Sequence, residues 1–122
     1  MYKPTTWVNK ALSDMLKADE QDVLLSTQVL KGYRLIAKLQ RTLADTEIRT
    51  LEASVVDTQL VFRISSTFTQ GPKQVLVRIT PTGEIVSLWR PPHDSKNQKR
   101  KQFHTTTKAA EFLTDLIEGA VV

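Results

Sequence analysis

The chain has no cysteine, only two histidines, and no apolar run approaching the roughly 18–20 residues of a membrane span. Each shortage excludes something. Without cysteine there is no disulfide framework, thiolate metal site or cysteine nucleophile. The two histidines, His93 and His104, have no obvious third and fourth partner for a transition metal. Asp19, Glu20 and Asp22 form a small acidic group without a loop glycine, which reads as a polar connector rather than a calcium site. The segment Met1–Trp7 lacks the apolar core of a secretion signal. No metal and no cofactor are expected, integral membrane association is not expected, and the cytoplasm is the expected location.

What remains is ordinary globular composition: 122 residues, 40% hydrophobic and 25% charged, enough for one domain spanning 1–122 with its own core. Three runs rich in Val, Ile, Leu, Phe and Trp, at Gln59–Phe68, Gln74–Thr80 and Glu84–Arg90, suit a pleated surface buried on one side. Gln70-Gly71-Pro72-Lys73 and Pro81-Thr82-Gly83 separate them, with proline presetting φ and glycine admitting positive φ. An antiparallel meander of three or more strands follows.

Alternation assigns faces, because successive strand side chains point to opposite sides. Leu60, Phe62, Ile64 and Phe68 share a side with Val75, Val77 and Ile79, and that side is the expected core. The other side carries Val61, Arg63, Ser65 and Thr67, then Gln74, Leu76, Arg78 and Thr80. The third run stays ambiguous, since Ile85/Ser87/Trp89 and Val86/Leu88/Arg90 each qualify as the inner set. If Val86 and Leu88 face inward, Trp89 joins Arg63 and Arg78 outside.

Two amphipathic helices close the fold. Val8, Ala11, Leu12, Met15 and Leu16 form one stripe, with Thr5 or Thr6 as cap, and Ala109, Phe112, Leu113, Leu116 and Ile117 form another, with Thr106 or Thr107 as cap and Gly119 as stop. Between them, residues 33–46 favour a helix, although Tyr33, Leu35, Ala37 and Leu39 also alternate as a strand would. Residues 23–31 stay open between helix and hairpin, with Lys31-Gly32 as the turn in the second case. Thr50–Asp57 reads as a further short strand. The fold class is α+β, a meander packed with N- and C-terminal helices. Pro91-Pro92 ends the third strand, and residues 93–104 read as an exposed basic loop, too polar to order itself.

Charge is the functional clue. Residues 61–110 hold nine Lys/Arg against only Glu84 and Asp94, a local +7 in a chain of net +4. Such an excess is the footprint of a surface that meets phosphate or an acidic partner. The candidate binding set is Arg63, Arg78, Trp89, Arg90, Lys96, Lys99, Arg100 and Lys101. Arginines on the sheet contact phosphates, Trp89 stacks on an unpaired base, and the loop cations close over the backbone.

Each residue also has a plainer role. Arg63 and Arg78 keep a strand soluble, Trp89 sits at a core rim under a helix, and the loop cations are solvated. The reading placed first is a small non-enzymatic protein binding nucleic acid, single-stranded or RNA, or accessory to it. Placed second is an adaptor or assembly factor docking an acidic protein. A small ribonuclease using His93 and His104 as acid–base pair comes last, and no catalytic residue is assigned.

Overall fold

The computed structural model describes residues 6–43, 48–68 and 70–120. The elements run α1 (Thr6–Glu20), α2 (Ser26–Thr42), β1 (Ile48–Val56), β2 (Gln59–Ser66), β3 (Gln74–Ile79), β4 (Ile85–Trp89), β5 (Lys99–Phe103) and α3 (Thr106–Ile117). The five strands form one antiparallel sheet in the order β1-β2-β3-β4-β5, each beside its neighbour in sequence. This is the α+β meander expected, with two strands more than the three central runs. No described helix is long and apolar enough to cross a membrane.

The inner face follows from alternation in β2 and β3. Leu60, Phe62, Ile64, Val75, Val77 and Ile79 are all buried, and with Leu35, Ile36, Leu39, Leu113, Leu116 and Ile117 from the helices they make the core. Burying each such side chain contributes about 1.5–3 kcal/mol, so this face sets the register of the whole sheet. Pairing of Val75 with Trp89, Val77 with Ser87 and Ile79 with Ile85 settles the third run. Ile85, Ser87 and Trp89 point inward; Val86 and Leu88 point outward.

The open choice at 23–31 is settled, and several expectations change. Residues 26–42 are one helix, so Lys31-Gly32 is no hairpin turn. Gly32 is buried inside α2, where a Cβ would come 2.6 Å from Leu60 and 2.7 Å from Met15; the missing side chain lets helix, sheet and α1 meet. The predicted end of this helix at 44–46 lies outside the described residues. In α1 the buried stripe is Trp7, Val8, Ala11, Asp14, Met15 and Ala18, while Leu12 and Leu16 are 38% and 58% exposed. The stripe is rotated because Asp14 faces β1, where its Oδ2 accepts from the Ala53 N–H at 3.1 Å. Oδ1 of the same carboxylate accepts from Lys10 at 2.7 Å.

The N-cap of α3 is Thr105, one residue earlier than expected, and its hydroxyl accepts from the Lys108 N–H at 3.3 Å. At the other end Gly119 adopts φ +83°, its N–H donates to Leu116 and that of Ala120 to Asp115, the two bonds that close a helix with a left-handed residue. Thr5 and the Thr6 side chain lie outside the described residues. Another change concerns the basic stretch. Only 90–98 is loop, and Lys99–Phe103 is β5, paired with β4. A strand polar but for its last residue forms here because a paired neighbour supplies its backbone hydrogen bonds and Phe103 anchors its end on Phe112, with centroids 5.2 Å apart.

Gly71 also has a different role from the one expected. It is not among the positive-φ residues; it is buried where a Cβ would strike the carbonyls of Ile117 and, at 2.8 Å, Leu116. Gly83 does adopt positive φ, +88°, and its N–H donates to Thr80 at 2.8 Å to close the β3–β4 turn.

Candidate anionic-partner interface on the open sheet face

Strand register lays out the outer face row by row. One cross-strand row runs Glu52, Arg63, Leu76, Leu88, Arg100; the next runs Ser54, Val61, Arg78, Val86, Gln102. Arg63, Arg78 and Arg100 are exposed, Leu76 and Leu88 are half-buried, and Val61 and Val86, flanking Arg78 in their row, are buried. Each arginine thus has an aliphatic cross-strand neighbour, Arg63 has Glu52 on its other side, and the aliphatic side chains lie beside the apolar stems of the arginines.

Beside these rows the face sinks into a groove of about 1370 Å³. Four cations line it, Arg49, Arg63, Lys73 and Arg90, together with Ser65, Gln74 and Gln98, while Leu76, Leu88, Phe68 and Pro91 supply apolar wall. Among the described residues, no carboxylate does. The ion pairs among the described residues are Lys10 with Asp14 and His104 with Glu84, so none of the groove cations is neutralised by one. Arg90 is held in place. Its Nη1 donates to the carbonyls of Ser95 at 3.0 Å and Lys96 at 3.2 Å, in a loop tightened by the Asn97 amide donating to Asp94 at 2.9 Å.

The eight candidate residues divide by strand parity. Arg63, Arg78 and Arg100 stand on the outer face and Arg90 in its groove. Lys99 and Lys101 pair with Trp89 and Ser87, placing them on the helix side. Trp89 touches the groove wall, but its ring packs at 5.2 Å on Phe112, which also meets Phe103; Nζ of Lys101 lies 5.1 Å from the Phe112 centroid, a cation over a ring. Trp89 therefore does not stand beside Arg63 and Arg78 on the open face. Lys96 is exposed in the 90–98 loop, where its carbonyl serves Arg90. Arg49 and Lys73 were not singled out by sequence, since each is a lone cation beside a strand end and only the tertiary fold brings them to the groove.

A polar chain borders the face at the far end of β5. Arg100 donates to Gln102 at 3.0 Å, Gln102 donates to Glu84 at 3.0 Å, and Nδ1 of His104 lies 2.8 Å from the same carboxylate. The Gln102 hydrogen bond first, then the charges of His104 and Lys31, outweigh partial burial and hold the Glu84 carboxyl below the usual carboxylate range. His93 lies beyond the other end of the β4–β5 hairpin. Five strand residues at about 3.4 Å each put it roughly 17 Å from His104, so the two are not brought together as an acid–base pair. Among the described residues there is no cluster of three or more His, Asp or Glu that would hold a metal ion.

No protein-family model, curated protein or solved structure matches this chain.

Proposed function

We propose that this is a non-enzymatic binding protein whose open sheet face engages nucleic acid through its phosphates. One observation carries the reading: a groove with four cations and, among the described residues, no carboxylate, continuous with exposed arginines on β2, β3 and β5, on the side of the sheet opposite the helical core. Cations so placed attract a polyanion and release its counterions, which makes affinity fall steeply with salt. The cytoplasm is the location that goes with this reading.

The test is fluorescence anisotropy of labelled mixed-sequence oligonucleotides at low and at moderate salt. Binding should weaken as salt rises, and replacing Arg63 and Arg78 together with glutamine should lower the log–log salt slope by about 2, one per lost phosphate contact. No binding at low salt would remove the reading.

A second reading rests on the half-buried Leu76 and Leu88 between the arginines, which suit an acidic protein surface with an apolar centre. Under it Leu76→Ser abolishes docking while oligonucleotides fail to bind. Under the first, Leu76→Ser leaves nucleic-acid affinity within about threefold.

A further inference from the structure

We infer that the open face takes the backbone of a double helix, with little preference for sequence, rather than the bases of a single strand. This rests on the nucleic-acid reading and narrows its partner.

Single-strand binders combine a basic groove with aromatic platforms, and each stacked base contributes about 1–3 kcal/mol. The outer rows of this sheet contain no aromatic side chain. Of the rings near it, Phe68 at the groove wall is half-buried against the core, and Trp89 and Phe103 both pack on Phe112, with Lys101 over the cluster. A base laid on these rows would meet aliphatic and guanidinium groups.

The cations, in contrast, are spread widely. Arg63 on β2 and Arg100 on β5 are three strands apart, which at about 4.8 Å per strand is roughly 14 Å, with Arg78 between them. That span compares with the approximately 12 Å width of a major groove, the separation of two phosphate walls. A single phosphodiester strand would meet only a line of them. Arg90 adds a preset contact. Two carbonyls occupy its Nη1, and Nη2 and Nε remain as a fork for one phosphate, already immobilised before binding. Contacts to phosphate position a protein without reading bases, hence the weak sequence preference.

The experiment uses the full chain with a labelled duplex of two helical turns, its separated strands, and two unlabelled competitor duplexes of unrelated sequence. Duplex binding about tenfold tighter than either strand, competitors equivalent within about threefold, and tryptophan emission unchanged by saturating duplex are expected. Arg90→Lys keeps the charge and loses the fork, and should weaken duplex binding about fivefold.

Equal or tighter binding of single strands, with tryptophan quenching that Trp89→Phe removes, would overturn the inference while leaving nucleic-acid binding intact. Wild-type affinity in Arg90→Lys would overturn the preset seat. Absence of binding to every oligonucleotide at low salt defeats the parent reading instead.

Discussion

Among the described residues Gln28 is the most connected buried polar side chain, and removing its amide should cost more than any surface change. It is 0% exposed at the start of α2. Its Oε1 accepts from the Leu25 N–H at 2.9 Å, one half of a capping box, and its Nε2 donates to the carbonyls of Thr58 at 3.0 Å and Ile79 at 2.9 Å. One amide thus ties the helix start to the β1–β2 turn and to the end of β3. In Gln28→Ala three backbone groups lose their partner and a small cavity opens. At about 1 kcal/mol for each bond, and more for the buried Ile79 carbonyl, the loss is about 3–4 kcal/mol. For a domain of this size that lowers Tm by about 10–15 °C.

Urea and thermal denaturation followed by far-UV circular dichroism measure it. Gln28→Glu separates geometry from volume, since it keeps the acceptor for Leu25 but aims a carboxylate at two carbonyl oxygens. Burial raises the native-state pKa of that carboxyl above its unfolded value. Its stability relative to wild type is therefore highest below about pH 4.3 and falls as pH rises through the native value. A Gln28→Ala protein within about 0.5 kcal/mol of wild type, or a Gln28→Glu protein whose deficit does not change between about pH 4 and pH 7, would refute the argument.

Three further outcomes are expected. Thr58 sits at φ +62° beside Asp57 at +51° in the two-residue β1–β2 turn, a conformation costly for a β-branched residue. Thr58→Gly should therefore raise stability by about 0.5–1 kcal/mol in urea titration. Gly71→Ala should lower it by about 1–3 kcal/mol, because the new methyl meets backbone carbonyls of α3 that cannot swing aside; an unchanged urea midpoint would contradict this. Glu84 titrates below its ordinary value in the folded protein, so its contribution is present above about pH 4.3 and lost as pH falls through the native value. Urea midpoints of wild type and Glu84→Gln should converge on acidification, and a constant gap would contradict the Gln102–Glu84–His104 linkage.

The inner faces of β2 and β3 were legible because apolar residues alternate there with Arg63, Gln74 and Arg78, so only one phase buries the core. β4 was not, since Ile85, Val86, Leu88 and Trp89 are apolar in both phases and the inner set includes Ser87. Cross-strand pairing with Val77 decides it, and a sequence does not display pairing. β5 has no hydrophobic period at all, which is why Lys99–Gln102 read as loop. In α2 a strand-like alternation competed with the helical one, and Gly32 suggested a break where it serves close packing. The arginines of the face followed from β2 and β3. The division of Lys99, Arg100 and Lys101 between two faces required knowing that they lie on a strand.

β5 is also the last strand of the sheet, and no described segment pairs with its far side. Its unbonded backbone groups are a template for another strand, and three consecutive cations guard them. Two copies approaching edge to edge would set those charges against one another, an obstacle made of field rather than of shape. Such an obstacle depends on the medium: it reaches about 10 Å at 0.1 M salt and about 3 Å at 1 M. The same protein should stay dispersed in dilute buffer and begin to associate through this edge in concentrated salt, or wherever a polyanion lies across both copies and cancels the repulsion. Crowding on such a polyanion would then lengthen the sheet from one molecule into the next.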